Sequence, residues 1–349
     1  MVDFKEPREL IPLLPAARDM LASEAHRLHH AAWHDVRGQW QDLSDGKRNA
    51  IRHLGWQPGH GIERPALSRG SPIVDNGSGE DFLFMHRQMI GAVRALYDQA
   101  GETPIASWRA IPAPGGPQDD GFEIPPNWSQ PDEPTRRRLE ALKSDTFFWT
   151  AMRGWDRQFK NAAYLSGLSL GALGSILEFT VHNDMHMRWS SAPRDPASGD
   201  VVPDGRSATD FDPRWSHPGY DFLGEFYSSH VNPVFWRLHG WVDDRIDDWF
   251  AAHEAAHPVD VERTTIDGID WFKPGRWVSS QEPWASPKAP ADSTHHGHHG
   301  HSPSGPHAHL DPEEMKKVIS ILYADEGPKL LALNRSLRAP PRATWFLEG

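Results

Sequence analysis

Apolar residues recur with helical spacing along most of this chain, and that spacing limits the folds it can adopt. Between residues 15 and 40, the apolar positions Leu21, Leu28 and Ala32 fall on one face of a helix. The alternation of apolar and polar residues that is typical of strands is scarce. The sequence therefore predicts a mainly α fold, a helical bundle. The predicted helices cover residues 15–40, 44–54, 81–100, 133–164, 176–189, 223–253 and 312–323.

Proline, glycine and serine are concentrated between these helices. Residues 57–79, 104–134 and 190–219 are therefore predicted to be long loops, and residues 166–174 form a short glycine-rich stretch. After residue 255 the chain becomes a series of short apolar fragments separated by proline-rich spacers. We expect one helical domain over residues 1–255 and a less regular C-terminal extension over residues 256–349.

The composition excludes several classes of site. The 349 residues include 21 His and 16 Trp but no Cys, which excludes disulfide scaffolds, thiolate metal sites and cysteine nucleophiles. The formal charge of −12 argues against broad binding to nucleic acid. No apolar run reaches the roughly 20 residues of a membrane span, and the N-terminus lacks the order of a signal peptide. We therefore expect a cytoplasmic protein with no membrane partner.

Histidines at helical spacing form the strongest chemical pattern. His182 and His186 are four residues apart and so lie on one face of a helix. His86 and His239 each lie in another apolar helical segment. Imidazole is a ligand for Cu, Zn, Fe or Ni, and three imidazoles leave a coordination position open for O2 or a substrate. The alternative is that each histidine is an ordinary core residue held by a hydrogen bond.

Three segments resemble the copper-binding motifs of one family, the type 3 copper proteins. His182 and His186, in HNDMH, match the His-x-x-x-His pair of the family's second copper site, and His239, in NPVFWRLHGWVDD, matches its third ligand. His86, in FLFMHR, matches a first-site ligand. Leu238 and Asn232 depart from the family's His and Asp at their positions. The other matching residues of the third segment are Pro233, Phe235, Trp236, Val242 and Asp243.

The chain is thus identified as similar to tyrosinases, catechol oxidases and hemocyanins, and among these to bacterial tyrosinase-like proteins associated with siderophore maturation. The resemblance implies two copper ions and the oxidation of phenols or catechols to quinones with O2. The partner would be a phenolic small molecule or an aromatic group of a natural product. The family often has an Asn after the first histidine of the pair, so Asn183 becomes a candidate catalytic residue. Asp243 becomes a candidate to orient a ligand or substrate; the alternative is an ion pair on its own helix with Arg245 or a neighbour.

The first copper site departs from the family pattern, because Gly77 occupies the place of a further ligand. We expect His30 and His34, four residues apart, to supply the missing imidazoles, since one helix face can present both. The alternatives are His53 with His60, or an incomplete site. An incomplete site would make the chain a single-copper or non-catalytic relative that binds copper or O2.

A separate tract of seven histidines among Gly, Ser and Pro runs from His295 to His309. Such a tract cannot pack a core but can bind Cu, Zn or Ni loosely. It is either a copper-loading tail or a linker without a metal role.

Overall fold

The computed structural model describes residues 4–59, 77–115, 123–129, 133–287 and 311–324. The described chain is mainly helical with one short hairpin, which confirms the predicted mainly α fold class. Within these ranges, no helix combines the length and the apolar character needed to cross a membrane.

The first half of the chain supplies the helices that carry the N-terminal histidines. A single helix was predicted over residues 15–40, but Ser23 divides it because its backbone is extended (φ −59°, ψ 144°). The Ser23 hydroxyl donates to Met20 O (2.7 Å) and accepts from His26 N, so it ends one helix and begins the next. The helices of this half are α1 (Pro7–Leu10), α2 (Pro15–Ala22), α3 (Glu24–Gln39), α4 (Asp45–His53) and α5 (Gly77–Ala100).

The middle of the chain forms a series of short helices. The single helix predicted over residues 133–164 is divided by turns, and a π-helical turn covers Phe148–Met152. A second π-helical turn, Glu178–His182, joins two helices and ends at His182, the first histidine of the His182–His186 pair. The helices here are α6 (Glu133–Lys143), α7 (Asp145–Phe147), α8 (Arg153–Gln158), α9 (Ala162–Leu165), α10 (Leu170–Leu177) and α11 (Asn183–Trp189).

Helix α10 corrects the prediction that residues 166–174 are a glycine-rich stretch before the next element. The glycines of α10 lie in a helix, and they let its backbone pass directly against the backbone of α5. A Cβ atom on Gly174 would lie 2.1 Å from Gly79 O, and one on Gly79 would lie 2.0 Å from Gly171 O. Glycine is thus required by the close approach of the two helices.

Helix α12 (Pro233–Ala256) carries the last histidine of the motifs and starts ten residues later than the predicted segment 223–253. Asn232 begins it, since its side-chain oxygen accepts from Val234 N at 3.0 Å. Turns and a 3-10 turn, Ser229–Val231, fill the preceding residues.

The described part of the C-terminal extension packs on the helices. Strands β1 (Arg263–Ile266) and β2 (Ile269–Phe272) form an antiparallel hairpin. Trp284 stacks on Trp33 of α3 (ring centroids 5.8 Å apart), and helix α13 (Pro312–Tyr323) contacts α3 and α4. The extension therefore contributes to the same buried core as the helices. Its status as a separate unit stays a prediction.

Candidate metal centre

Six buried or half-buried histidines meet at the centre of the bundle in two groups of three. The first triad consists of His30 and His34 from α3 and His86 from α5, and the ligand nitrogens of its members lie within 4.8 Å of one another. The second triad consists of His182, at the end of the π-helical turn, with His186 of α11 and His239 of α12, and it meets the same limit. The structure thus brings together the histidines that the sequence grouped. Each triad could hold a metal ion.

The two triads are in direct contact. The His86 ring stacks on the His239 ring, with centroids 4.3 Å apart and planes at 17°. The ring of Phe235 stacks on His239 with centroids 3.8 Å apart. The stacked rings thus hold the two triads side by side.

In three of the six rings, a backbone carbonyl determines which nitrogen can bind a metal. His86 Nδ1 lies 2.7 Å from Phe82 O, and His186 Nδ1 lies 2.8 Å from Leu223 O. His30 Nδ1 bonds to Phe226 O in the same way. A carbonyl can only accept, so Nδ1 carries the proton and Nε2 of the neutral ring keeps its lone pair. This is the bonding pattern of histidines that ligate metals.

In the second triad the Nε2 atoms converge. His239 Nε2 lies 3.2 Å from His182 Nε2 and 3.0 Å from His186 Nε2. His182 and His186 hold their protons on Nδ1, so their Nε2 lone pairs face His239 Nε2. A cation at this point could take all three nitrogens as ligands. The donor set, three nitrogens without thiolate or carboxylate, fits copper as well as zinc, iron or nickel.

Burial favours the neutral form of five of the six rings. Removal from water lowers the pKa of His186 to about 4. It also lowers the pKa values of His34, His86, His182 and His239 well below the ordinary value, with further lowering from neighbouring imidazoles. Neutral imidazoles are the form that ligates a metal, so at neutral pH no proton has to be displaced.

One short segment holds a ligand from each triad. We call residues 223–226 the bridging segment, because Leu223 O accepts from His186 and Phe226 O accepts from His30. The Phe226 ring also stacks flat on His34, with centroids 4.2 Å apart and planes at 6°. The geometry of both triads therefore depends on this segment.

A buried ion pair joins the helices of the two triads. Arg37 of α3 donates to both oxygens of Glu178, at 2.7 and 2.6 Å. Both side chains are almost fully buried, and Glu178 begins the π-helical turn that ends at His182. The pair fixes α3 against the element that carries the second triad.

All six histidines line one pocket, which has about 330 Å³ of empty space when the part open to solvent is included. Its other walls are chiefly apolar, and Asn183 contributes an amide. Asn183 Oδ1 lies 3.2 Å from His182 Nδ1, which places it between a ligand ring and the cavity. The apolar side chains in the wall are Met187, Leu223, Phe226 and Phe235.

Other sequence candidates have different positions. His53 is exposed at the end of α4 and bonds to Asn49 O, and it belongs to neither triad. His60 and the tract from His295 to His309 lie outside the described residues. Asp243 pairs with Arg87 of α5 at 2.7 Å and so joins α12 to α5, which is the ion-pair alternative with a different partner.

Two further histidines adjoin the first triad and were not assigned from the sequence. The His230 ring lies 4.6 Å from the His30 ring, and the His26 ring lies 4.9 Å from the His230 ring. The spacing of His26 and His30, one turn apart on α3, was the available signal for His26. Nothing in the sequence places His230, because its position depends on the turn before α12.

Comparison with known proteins gives no further assignment: no protein-family model matches the chain, and neither does any curated protein.

Proposed function

We propose that this chain is a binuclear copper oxidoreductase that uses O2 to oxidise phenols or catechols to quinones. The observation that carries the proposal is the contact between two complete histidine triads through the stacked rings of His86 and His239. The motif resemblance of HNDMH, FLFMHR and NPVFWRLHGWVDD to type 3 copper proteins supports copper over other metals. His30, His34 and His86 would hold one ion, and His182, His186 and His239 the other.

When bound, copper would supply the redox chemistry with O2 that protein side chains lack. The chain itself fixes the tautomer and orientation of His30, His86 and His186 through the carbonyls of Phe226, Phe82 and Leu223. Preorganised ligands of this kind do not have to rearrange when the metal changes its oxidation state.

The cavity favours an aromatic substrate. Phe226 and Phe235 offer ring faces, and Met187 and Leu223 add apolar contact that excludes water. The Asn183 amide, at the same wall, can accept a hydrogen bond from a phenolic hydroxyl and orient it. We therefore propose a phenolic small molecule or an aromatic group of a natural product as the substrate.

The proposal is tested by oxygen uptake with a catechol and, separately, a monophenol, after loading the chain with copper. His186→Ala should lower uptake by more than about 100-fold, since even the loss of a group that orients a metal ligand costs about 10–100-fold. His253→Gln is the control, because His253 is also a buried histidine but lies against Trp249 and Trp277 and belongs to neither triad.

Two results would contradict the proposal. A chain that holds two copper ions and consumes no O2 with either substrate would be a non-catalytic relative. A chain that holds one copper ion at saturation would be a single-copper protein.

A further inference from the structure

The imidazole contacts do not end at the first triad. His230, in the turn before α12, lies against His30 with ring centroids 4.6 Å apart, and His26 lies on its other side at 4.9 Å. His26 is one turn before His30 on α3. Two histidines that belong to neither triad are thus connected to the first triad through ring contacts.

The bonding of His230 leaves one ring nitrogen available. Its Nε2 lies 3.1 Å from Leu21 O, so Nε2 carries the proton and Nδ1 keeps a lone pair. The residue is 0% exposed, and within the described chain no hydrogen-bond partner reaches Nδ1. A buried acceptor without a partner in a native structure calls for an explanation, such as a ligand.

The neighbours of His230 point to a metal rather than to packing. His253 shows the same bonding pattern, with Nε2 on Leu168 O. However, it packs against Trp249 and Trp277 in the last turn of α12 and belongs to neither triad. His230 instead has an imidazole on each side, and one of them belongs to a triad.

We propose that His26 and His230 form a third copper site, which takes copper(I) and passes it to the first triad. The inference rests on the proposed function for the identity of the metal. Copper(I) is a soft ion that two imidazole nitrogens can hold, and His230 can bind it through Nδ1 while Nε2 keeps its proton. The transfer requires no change in oxidation state, since the ion only exchanges one pair of nitrogens for the next.

Arg27 makes this site weaker than the triads. Its guanidinium is buried beside His230 and donates to Ala22 O and Tyr220 O. A fixed positive charge at this position opposes a resident cation. Because this site would bind copper more weakly than the neighbouring triad, copper would pass from it to the triad rather than stay there.

The test follows copper(I) uptake by the full-length apoprotein from a coloured chelator, with loading rate and final copper content both recorded. His230→Gln should keep a donor for Leu21 O while removing the ring. It should retain the two tightly bound ions but load about tenfold more slowly, as the local copper concentration beside the triad is lost. His26→Gln should have the same effect, and the double variant should be no slower than either single variant. His253→Gln is the control for loss of a buried histidine.

Loading of His230→Gln at the wild-type rate would overturn the inference. So would the loss of a tightly bound ion at equilibrium, since His230 would then be a ligand or a support of the first triad. If wild-type protein holds no copper tightly, the proposed function itself fails, and this outcome is distinct from both.

Discussion

The protonation of single ring nitrogens determines what the centre can do. His86 and His186 each donate Nδ1–H to a backbone carbonyl, which directs Nε2 towards the centre. The sequence could predict His182 with His186, and His30 with His34, because spacing of four residues places side chains on one helix face. It could not predict the carbonyls of Leu223 and Phe226, since every residue carries a carbonyl and no residue type marks its position.

The first triad can be tested separately at this scale. Replacing His30 and His34 together by Ala should lower the copper content by about one ion per chain, because His86 alone cannot hold an ion while the second triad keeps all three ligands. Copper content at saturation, measured by elemental analysis, checks this. His29→Gln, a buried position on the same helix, should keep the wild-type content. Unchanged copper in the double variant would show that the first site uses other ligands.

At the scale of elements, the crossing of α5 and α10 sets the distance between the triads. Helix α5 carries His86, and α10 leads through the π-helical turn to His182. The helices approach so closely that Gly79 and Gly174 meet backbone to backbone. Composition marked this stretch as small and glycine-rich but could not distinguish a helix crossing from a loop, because the reason for each glycine lies on the other helix.

Gly174→Ala should destabilise the fold by several kcal/mol, about the upper range for overpacking a core, since its Cβ would lie 2.1 Å from a backbone oxygen that cannot move alone. Urea unfolding measures the loss. Gly154→Ala is the matched control in helix α8, where a Cβ would meet no atom within 4 Å. That variant should gain up to about 1 kcal/mol, the usual advantage of Ala over Gly in a helix. Equal stability of the two variants would contradict the close crossing.

At the scale of the whole molecule, the C-terminal extension is fastened to the bundle next to the first triad. Glu80 accepts from the backbone of Ser279 and Ser280, and Asp81 Oδ1 accepts from Trp284 N at 2.6 Å. Trp33, beside His34, donates to Trp284 O at 3.0 Å. The sequence predicted the extension and its irregularity, but not these attachments, which join residues about 200 positions apart.

Asp81 makes stability depend on pH. Burial raises its pKa to about 7, so the unfolded chain ionises Asp81 first as the pH rises. Its favourable contribution is therefore complete below about pH 4, the ordinary range of Asp, and is lost as the pH rises to about 7. Asp81→Asn keeps the acceptor for Trp284 N and removes the charge. From pH 4 to pH 7, the free energy of unfolding measured with urea should fall less in this variant than in the wild type. The difference corresponds to about 1.4 kcal/mol for each unit by which the pKa is raised. Equal losses in variant and wild type would contradict the role of Asp81.

The central claim is that two adjacent triads hold two copper ions. Anomalous diffraction at the copper absorption edge, from crystals of the copper-loaded chain, tests it most directly. The account predicts a peak in each triad, one among His30, His34 and His86 and one among His182, His186 and His239. A peak in only one triad, or none in either after saturation with copper, would contradict it.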